Sequence, residues 1–141
     1  MEGGSIEVNG EGTCLTTEQC LLNTNRNPRL SRPEIEQYLK DYLGVSQIVW
    51  LSEGIVGDDT DGHIDNIARF VNPAAILAAY EKDESDENHL ILKKNWELLE
   101  NARSKLDTKW NLIKLPMPGK VFDEGTRLPA SYANFYIANQ V

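Results

Sequence analysis

The stretch Asn66-Ile67-Ala68-Arg69-Phe70-Val71-Asn72-Pro73-Ala74-Ala75-Ile76-Leu77-Ala78-Ala79-Tyr80 decides the fold. Asn66 to Val71 and Ala75 to Tyr80 are apolar runs of strand length, and Asn72-Pro73 between them is turn chemistry. Downstream, an acidic loop from Glu81 to Glu87 leads into a helix predicted over Asn88 to Leu106. Its apolar face is Leu92, Trp96, Leu99, Ala102 and Leu106, at helical spacing. Asn111 to Leu115 reads as another strand. Upstream, the same order has already occurred once. Ser5 to Val8 and Thr13 to Thr16 alternate around Asn9-Gly10-Glu11-Gly12, a hairpin signal. Ser31 and Glu34 form a capping box, with Pro33 in the first turn. Ile35, Tyr38, Leu39, Tyr42 and Leu43 follow at helical spacing until Gly44 stops the helix. Gln47 to Leu51 closes that unit as a strand.

The order strand-strand-helix-strand therefore occurs twice, a repeat of pattern rather than of residues. A Pro/Gly-bearing loop, Pro116 to Pro129, and a strand over Tyr132 to Ala138 read as the start of a third unit. The expectation is an α/β chain that is a piece of something longer. Two units cut from a cyclic repeat leave open edges, here near Ser5–Val8 and near Tyr132–Ala138, so self-association is expected.

Charge narrows the partners. Acids outnumber bases 22 to 14, for a net charge of -8 over 141 residues. Such a surface does not draw in a polyanion, so no nucleic-acid partner is expected, whereas a cationic ligand is allowed. No apolar run approaches the roughly 20 residues of a membrane span, and the N-terminus lacks a signal-peptide pattern. Cys14 and Cys20 match no CxxC spacing, and free thiols point to a reducing, cytoplasmic setting.

The densest polar cluster is Gly57-Asp58-Asp59-Thr60-Asp61-Gly62-His63-Ile64-Asp65-Asn66. If the chain is extended from Asp61, then Asp61, His63 and Asp65 point to one side. Carboxylates beside an imidazole favour its protonated form and suit acid–base work. The competing readings are a solvated Asp/Gly loop and a divalent-metal site, since His-x-Asp is a common ligand pair. Against a metal, Asp58 to Asp65 does not match an EF-hand, and His89, beside Glu87, reads as a solvated helix-start residue. Cys14 and Cys20 have no cationic neighbour in sequence and read as small buried hydrophobes. Arg26, Arg29 and Arg69 read as scattered charges.

Taken together, the motifs resemble the agmatine deiminase family. The resemblance is carried by Glu2-Gly3-Gly4-Ser5-Ile6, Gly10-Glu11-Gly12-Thr13, Leu15-Thr16-Thr17-Glu18, Cys20-Leu21-Leu22-Asn23 and Asn25-Arg26-Asn27-Pro28. Trp50-Leu51, Gly57-Asp58, Thr60-Asp61-Gly62-His63-Ile64-Asp65-Asn66 and Ser131-Tyr132-Ala133-Asn134-Phe135-Tyr136-Ile137-Ala138-Asn139 complete it. It implies a pentein α/β-propeller of five pseudo-symmetric units, of which residues 1–141 would be a partial domain, a middle segment. It implies hydrolysis of agmatine to N-carbamoylputrescine and ammonia, a step toward putrescine, without a cofactor or metal. The related bacterial peptidylarginine deiminases act on arginine residues instead, and a non-catalytic guanidinium-binding module is the third reading.

By the same resemblance His63 would protonate the departing ammonia and then activate water. Glu2 would orient His63 within about 2.6–3.2 Å. Asp65 would hold the N–H fork of the guanidinium. The family's nucleophile, a cysteine in a Gly-rich motif ending Asn-Ile-His-Cys, matches neither Cys14 nor Cys20.

Overall fold

The computed structural model describes residues 2–138. Two three-stranded sheets share one topology. In the first, β1 (Glu7–Val8) pairs antiparallel with β2 (Thr13–Thr17), and Asn9 Oδ1 accepts from the N–H groups of Glu11 and Thr13 to close the hairpin. A single turn, α1 (Glu18–Leu21), and the helix α2 (Arg32–Leu43) then cross over to β3 (Gln47–Leu51), which lies parallel to β2 with Thr13 opposite Gln47 and Thr17 opposite Leu51. The second sheet repeats this with β4 (Ala68–Asn72) antiparallel to β5 (Ala75–Tyr80), α3 (Asn88–Lys105) as the crossover, and β6 (Asn111–Pro116) parallel to β5. In each unit the crossover helix is what permits a parallel return.

Local chemistry accounts for the boundaries. Ser31 N–H and Oγ–H both donate to Glu34 Oε2, at 2.8 and 2.6 Å, which holds the start of α2. Gly44 ends it at φ 67°, in the left-handed region. Of the expected apolar face, Ile35 and Leu39 are buried, whereas Tyr38, Tyr42 and Leu43 are exposed. The two tyrosines stack on each other, centroids 6.1 Å apart. On α3, Leu92 and Leu99 enter the main core with Leu15, Leu51, Ile64, Ile76 and Trp110, and Trp96, Ala102 and Leu106 pack at its margin.

Four expectations change. Asn66 does not begin a strand; Ile64–Asn66 is a 3₁₀ turn and β4 starts at Ala68. His89 is not solvated: it is buried, with Nδ1 2.8 Å from the Glu81 carbonyl oxygen. The loop after β6 contains a small hairpin, β7 (Phe122–Asp123) with β8 (Thr126–Arg127), turned by Glu124 at φ 45° and Gly125 at φ 82°. Tyr132 to Ala138 forms no strand. It is tied instead to the turn before β4 and to β4 itself: Asn134 Nδ2–H donates to Asn66 Oδ1 and Arg69 Nη1–H to Phe135 O. The expected third unit is thus an irregular segment across the second.

Candidate active site

The Gly57–Asn66 segment between β3 and β4 is not extended. Asp61 and Gly62 have φ values of 57° and 79°, and the Ile64–Asn66 turn follows, so Asp61, His63 and Asp65 do not alternate as in a strand. The loop is fixed from below. Asn95 on α3 accepts from Ser52 N–H and donates to Glu53 O, while Asn88 accepts from Val56 N–H. Thr17 Oγ1–H donates to Gly62 O and Gln19 Oε1 accepts from Gly54 N–H. Asp58 Oδ1 accepts from the Thr60 N–H and hydroxyl. These amides and hydroxyls, absent from the sequence reading of the site, set the loop's shape, with Asn88, Asn95 and Thr17 buried among them.

The turn Gly3–Ser5 brings Glu2 to the same place. Ser5 N–H and Oγ–H donate to Glu2 O, and Thr16 Oγ1–H of β2 donates to Ser5 O. Glu2 Oε2 then lies 2.5 Å from His63 Nε2. Hydrogen bonds from His63 first, and then from Arg26, hold the Glu2 carboxyl below its ordinary range. The other ring nitrogen, His63 Nδ1, faces the Cα of Gly4, as does Asp65 Oδ2. A Cβ placed on Gly4 would sit 2.5 Å from the first and 2.6 Å from the second. Gly4 is the point where the two side chains converge.

Asp65 lines a cavity of about 420 Å³ with Gly3, Gly4, Ile6, Glu7, Arg69, Asn134, Phe135 and Tyr136. Its Oδ1 is buried and has no hydrogen-bond partner among the described residues. Burial, with a smaller contribution from Asp58, raises its pKa against the opposing charges of His63 and Arg69. Arg69 is itself held by Glu7, whose other oxygen accepts from Phe70 N–H. The cavity is thus lined by a half-buried carboxylate, one oxygen of which is buried without a partner among the described residues. A cation offering N–H groups matches it.

The two cysteines are not poised as nucleophiles. Both are fully buried, and burial pushes each thiol up to about 11. Cys20 does come near the site: its sulfur and the donor atoms of Glu2 and His63 lie within 4.8 Å of one another. Two features weigh against a metal on this trio. The Arg26 guanidinium already binds Glu2 Oε2, and Cys20 holds its proton tightly. Sequence reasoning missed Arg26, whose side chain contacts both Glu2 and Asp61. The only signal was its place in the Asn25-Arg26-Asn27-Pro28 motif.

A family model described as Porphyromonas-type peptidyl-arginine deiminase matches residues 1–141. This chain belongs to that family. Among its relatives, the agmatine deiminase of Medicago truncatula is 45% identical over 158 aligned residues, covering 99% of this chain and 42% of that protein. The agmatine deiminase of Pseudomonas aeruginosa (strain LESB58) is 43% identical over 157, covering 99% and 43%. The solved structure of a Cys→Ser variant of C. jejuni agmatine deiminase with substrate bound superposes at a TM-score of 0.90 with 44% identity, covering 98% of this chain and 40% of that one. The family chain described here therefore spans about two fifths of these relatives' length, and its fold class is α/β of the pentein type, in two strand-strand-helix-strand units.

Proposed function

We propose that this chain carries the guanidinium-recognition and proton-transfer part of an agmatine deiminase, a hydrolase acting on C–N bonds of linear amidines. One observation carries the reading: Asp65 presents a buried oxygen, unpartnered among the described residues, beside a cavity, and Gly4 brings it next to an imidazole backed by a carboxylate. The names of the relatives supply the substrate class.

A guanidinium carbon is a poor electrophile because its charge is delocalised. Asp65 accepts N–H groups from the planar cation and fixes the plane. A thiolate from a cysteine other than Cys14 and Cys20 attacks the carbon. His63 gives its proton to the departing nitrogen, which leaves as ammonia. Water, its proton taken by His63, then attacks the covalent intermediate and releases the thiolate with N-carbamoylputrescine. Glu2 holds the imidazole and balances its charge in both half-reactions. The second proton of the water goes to the released ammonia, so the sum is the agmatine guanidinium plus water giving N-carbamoylputrescine and ammonium. The setting we infer is cytoplasmic putrescine biosynthesis. No helix among the described residues is long and apolar enough to cross a membrane. We also infer self-association through outer strands of the two sheets, among them β1 (Glu7–Val8) at the edge expected near Ser5–Val8.

Calorimetric titration of agmatine into the protein tests the reading. Binding that Asp65→Asn removes supports it, while an Asp65→Asn variant that binds as the wild type does overturns it. Titrating an arginine-containing peptide in parallel separates the agmatine reading from a peptidylarginine one. Binding of either without carbamoyl product in the presence of all the relatives' counterpart segments would indicate a binding module.

A further inference from the structure

Arg26 sits in a turn that is rigid before its side chain is considered. Asn23 Oδ1 accepts from Asn25 N–H, Asn23 O accepts from the N–H groups of Arg26 and Asn27, and Asn27 Nδ2–H donates to Leu21 O. From that turn the guanidinium reaches in two directions. Its Nη2–H and Nε–H donate to Glu2 Oε2 at 2.9 and 3.2 Å, and its Nη1–H donates to Asp61 Oδ2 at 2.8 Å. Asp61 is itself held at φ 57°, two residues before His63. Three segments far apart in sequence thus meet on one cation.

The Glu2 side chain needs such a hold. It is about half exposed, and an exposed glutamate with three rotatable bonds does not stay on one partner without cost in conformational entropy. A planar fork with two directions of donation restrains it where a point charge on a flexible stem cannot. We propose that Arg26 is the positioning residue of this site, clamping the Glu2 carboxylate between the Asn23–Asn27 turn and Asp61 so that it stays on His63. The Arg26 guanidinium donates to Glu2 and Asp61, and it reaches His63 only through Glu2. The inference rests on the reading of Glu2 and His63 as the proton-handling pair, but its test needs no substrate.

The groups facing Glu2 are His63, Arg26 and the buried Cys20 thiol, with Asp61 behind Arg26. Side-chain NMR of the 141-residue chain reads them separately: the Glu2 carboxyl carbon through a pH titration, the His63 Nε2 resonance and the Arg26 Nε–H signal. Arg26→Gln raises the Glu2 midpoint and moves the His63 Nε2 signal away from its hydrogen-bonded position. Arg26→Lys returns much of the Glu2 midpoint, since the charge is back, but not the His63 signal, since the fork is not. Unchanged Glu2 and His63 signals in Arg26→Gln, with amide dispersion preserved, overturn the proposal. Should that variant unfold, Asp61→Asn decides: unaltered Arg26 and His63 signals there overturn it equally. Failure to bind agmatine would leave these spectra as they are, so the two readings fall separately.

Discussion

Glu2 Oε2 and His63 Nε2 lie 2.5 Å apart although 61 positions of sequence separate the residues. The contact joins the start of the first unit to the loop that opens the second, so both units must fold for it to exist. Glu2→Gln keeps the shape and removes the charge that balances a protonated imidazole. In the enzyme as a whole we expect it to lower kcat for agmatine hydrolysis by on the order of 10²-fold while agmatine affinity changes little. Steady-state kinetics with direct binding measurements check this. An equal loss in affinity would show that Glu2 holds substrate instead.

Guanidinium binding should be proton-linked through Asp65. Burial raises its pKa, so the carboxylate takes up a proton at a pH above the ordinary aspartate value of about 3.9. A protonated Asp65 cannot balance a bound cation. Affinity is therefore full above that raised pKa and declines as pH falls through it. Calorimetry from pH 8 to pH 4 follows the decline. A decline confined to the region below about pH 4 contradicts the raised pKa.

Much of this was legible before any coordinates. Gly44, Ser31 with Glu34, and Asn9-Gly10 marked helix and hairpin boundaries because capping and positive φ demand few residue types. The doubled topology followed from the order of apolar runs. Burial of Asn88, Asn95 and His89 was not legible, because a polar side chain is buried only where backbone groups elsewhere are left for it to satisfy. The run Tyr132 to Ala138 has strand composition but its hydrogen bonds run from Asn134 to Asn66 and from Arg69 to Phe135, and composition does not name a partner. At the site, His63 and Asp65 stood out in sequence. Their convergence on Gly4 depends on left-handed backbone at Asp61 and Gly62, which alternation cannot express.

Neither thiol should react in the folded chain. Cys14 and Cys20 have no exposed surface and hold their protons to a pKa of about 11. Thiolate is the reactive form, so at pH 7 its fraction is on the order of 10⁻⁴. Iodoacetamide followed by mass spectrometry should leave both unmodified until denaturant is added. Fast labelling of Cys20 under native conditions would show that the pocket beside His63 opens.

The hairpin β7–β8 is anchored to the start of α3 by an ion-pair cluster in which Arg127 meets Asp86 and Glu87 and Lys120 also meets Asp86. Arg127 donates from Nη1 and Nη2 to Asp86 at 2.8 and 3.0 Å, and both side chains are less than a tenth exposed. Burial opposes the charge on Asp86, but the Arg127 hydrogen bonds and the Asn88 N–H outweigh it and hold the carboxyl below its ordinary range. Arg127→Met leaves the buried Asp86 carboxylate with Lys120 at 3.4 Å and the Asn88 N–H as its remaining partners, and should cost somewhat less than the about 3 kcal/mol of a fully unpaired buried charge. Because the folded pKa is depressed, this stabilisation is complete above the unfolded value near 3.9 and is lost as pH falls below it. Denaturation of wild type and variant at pH 7 and pH 3 should show the gap narrowing at the lower pH.

Gly3 and Gly4 are adjacent but should respond oppositely to one methyl group. A Cβ on Gly3 meets nothing within 4 Å. On Gly4 it would meet His63 Nδ1 at 2.5 Å and Asp65 Oδ2 at 2.6 Å, closer than real Cβ contacts come. The obstructing atoms are side-chain ends, so the backbone can keep its path while both functional groups turn away. Gly4→Ala should therefore weaken agmatine binding at least tenfold, about 1.4 kcal/mol, with little change in thermal stability. Gly3→Ala should alter neither. Thermal melts and calorimetry on the pair check this, and equal affinity in the two variants would mean that ligand does not use the His63–Asp65 convergence.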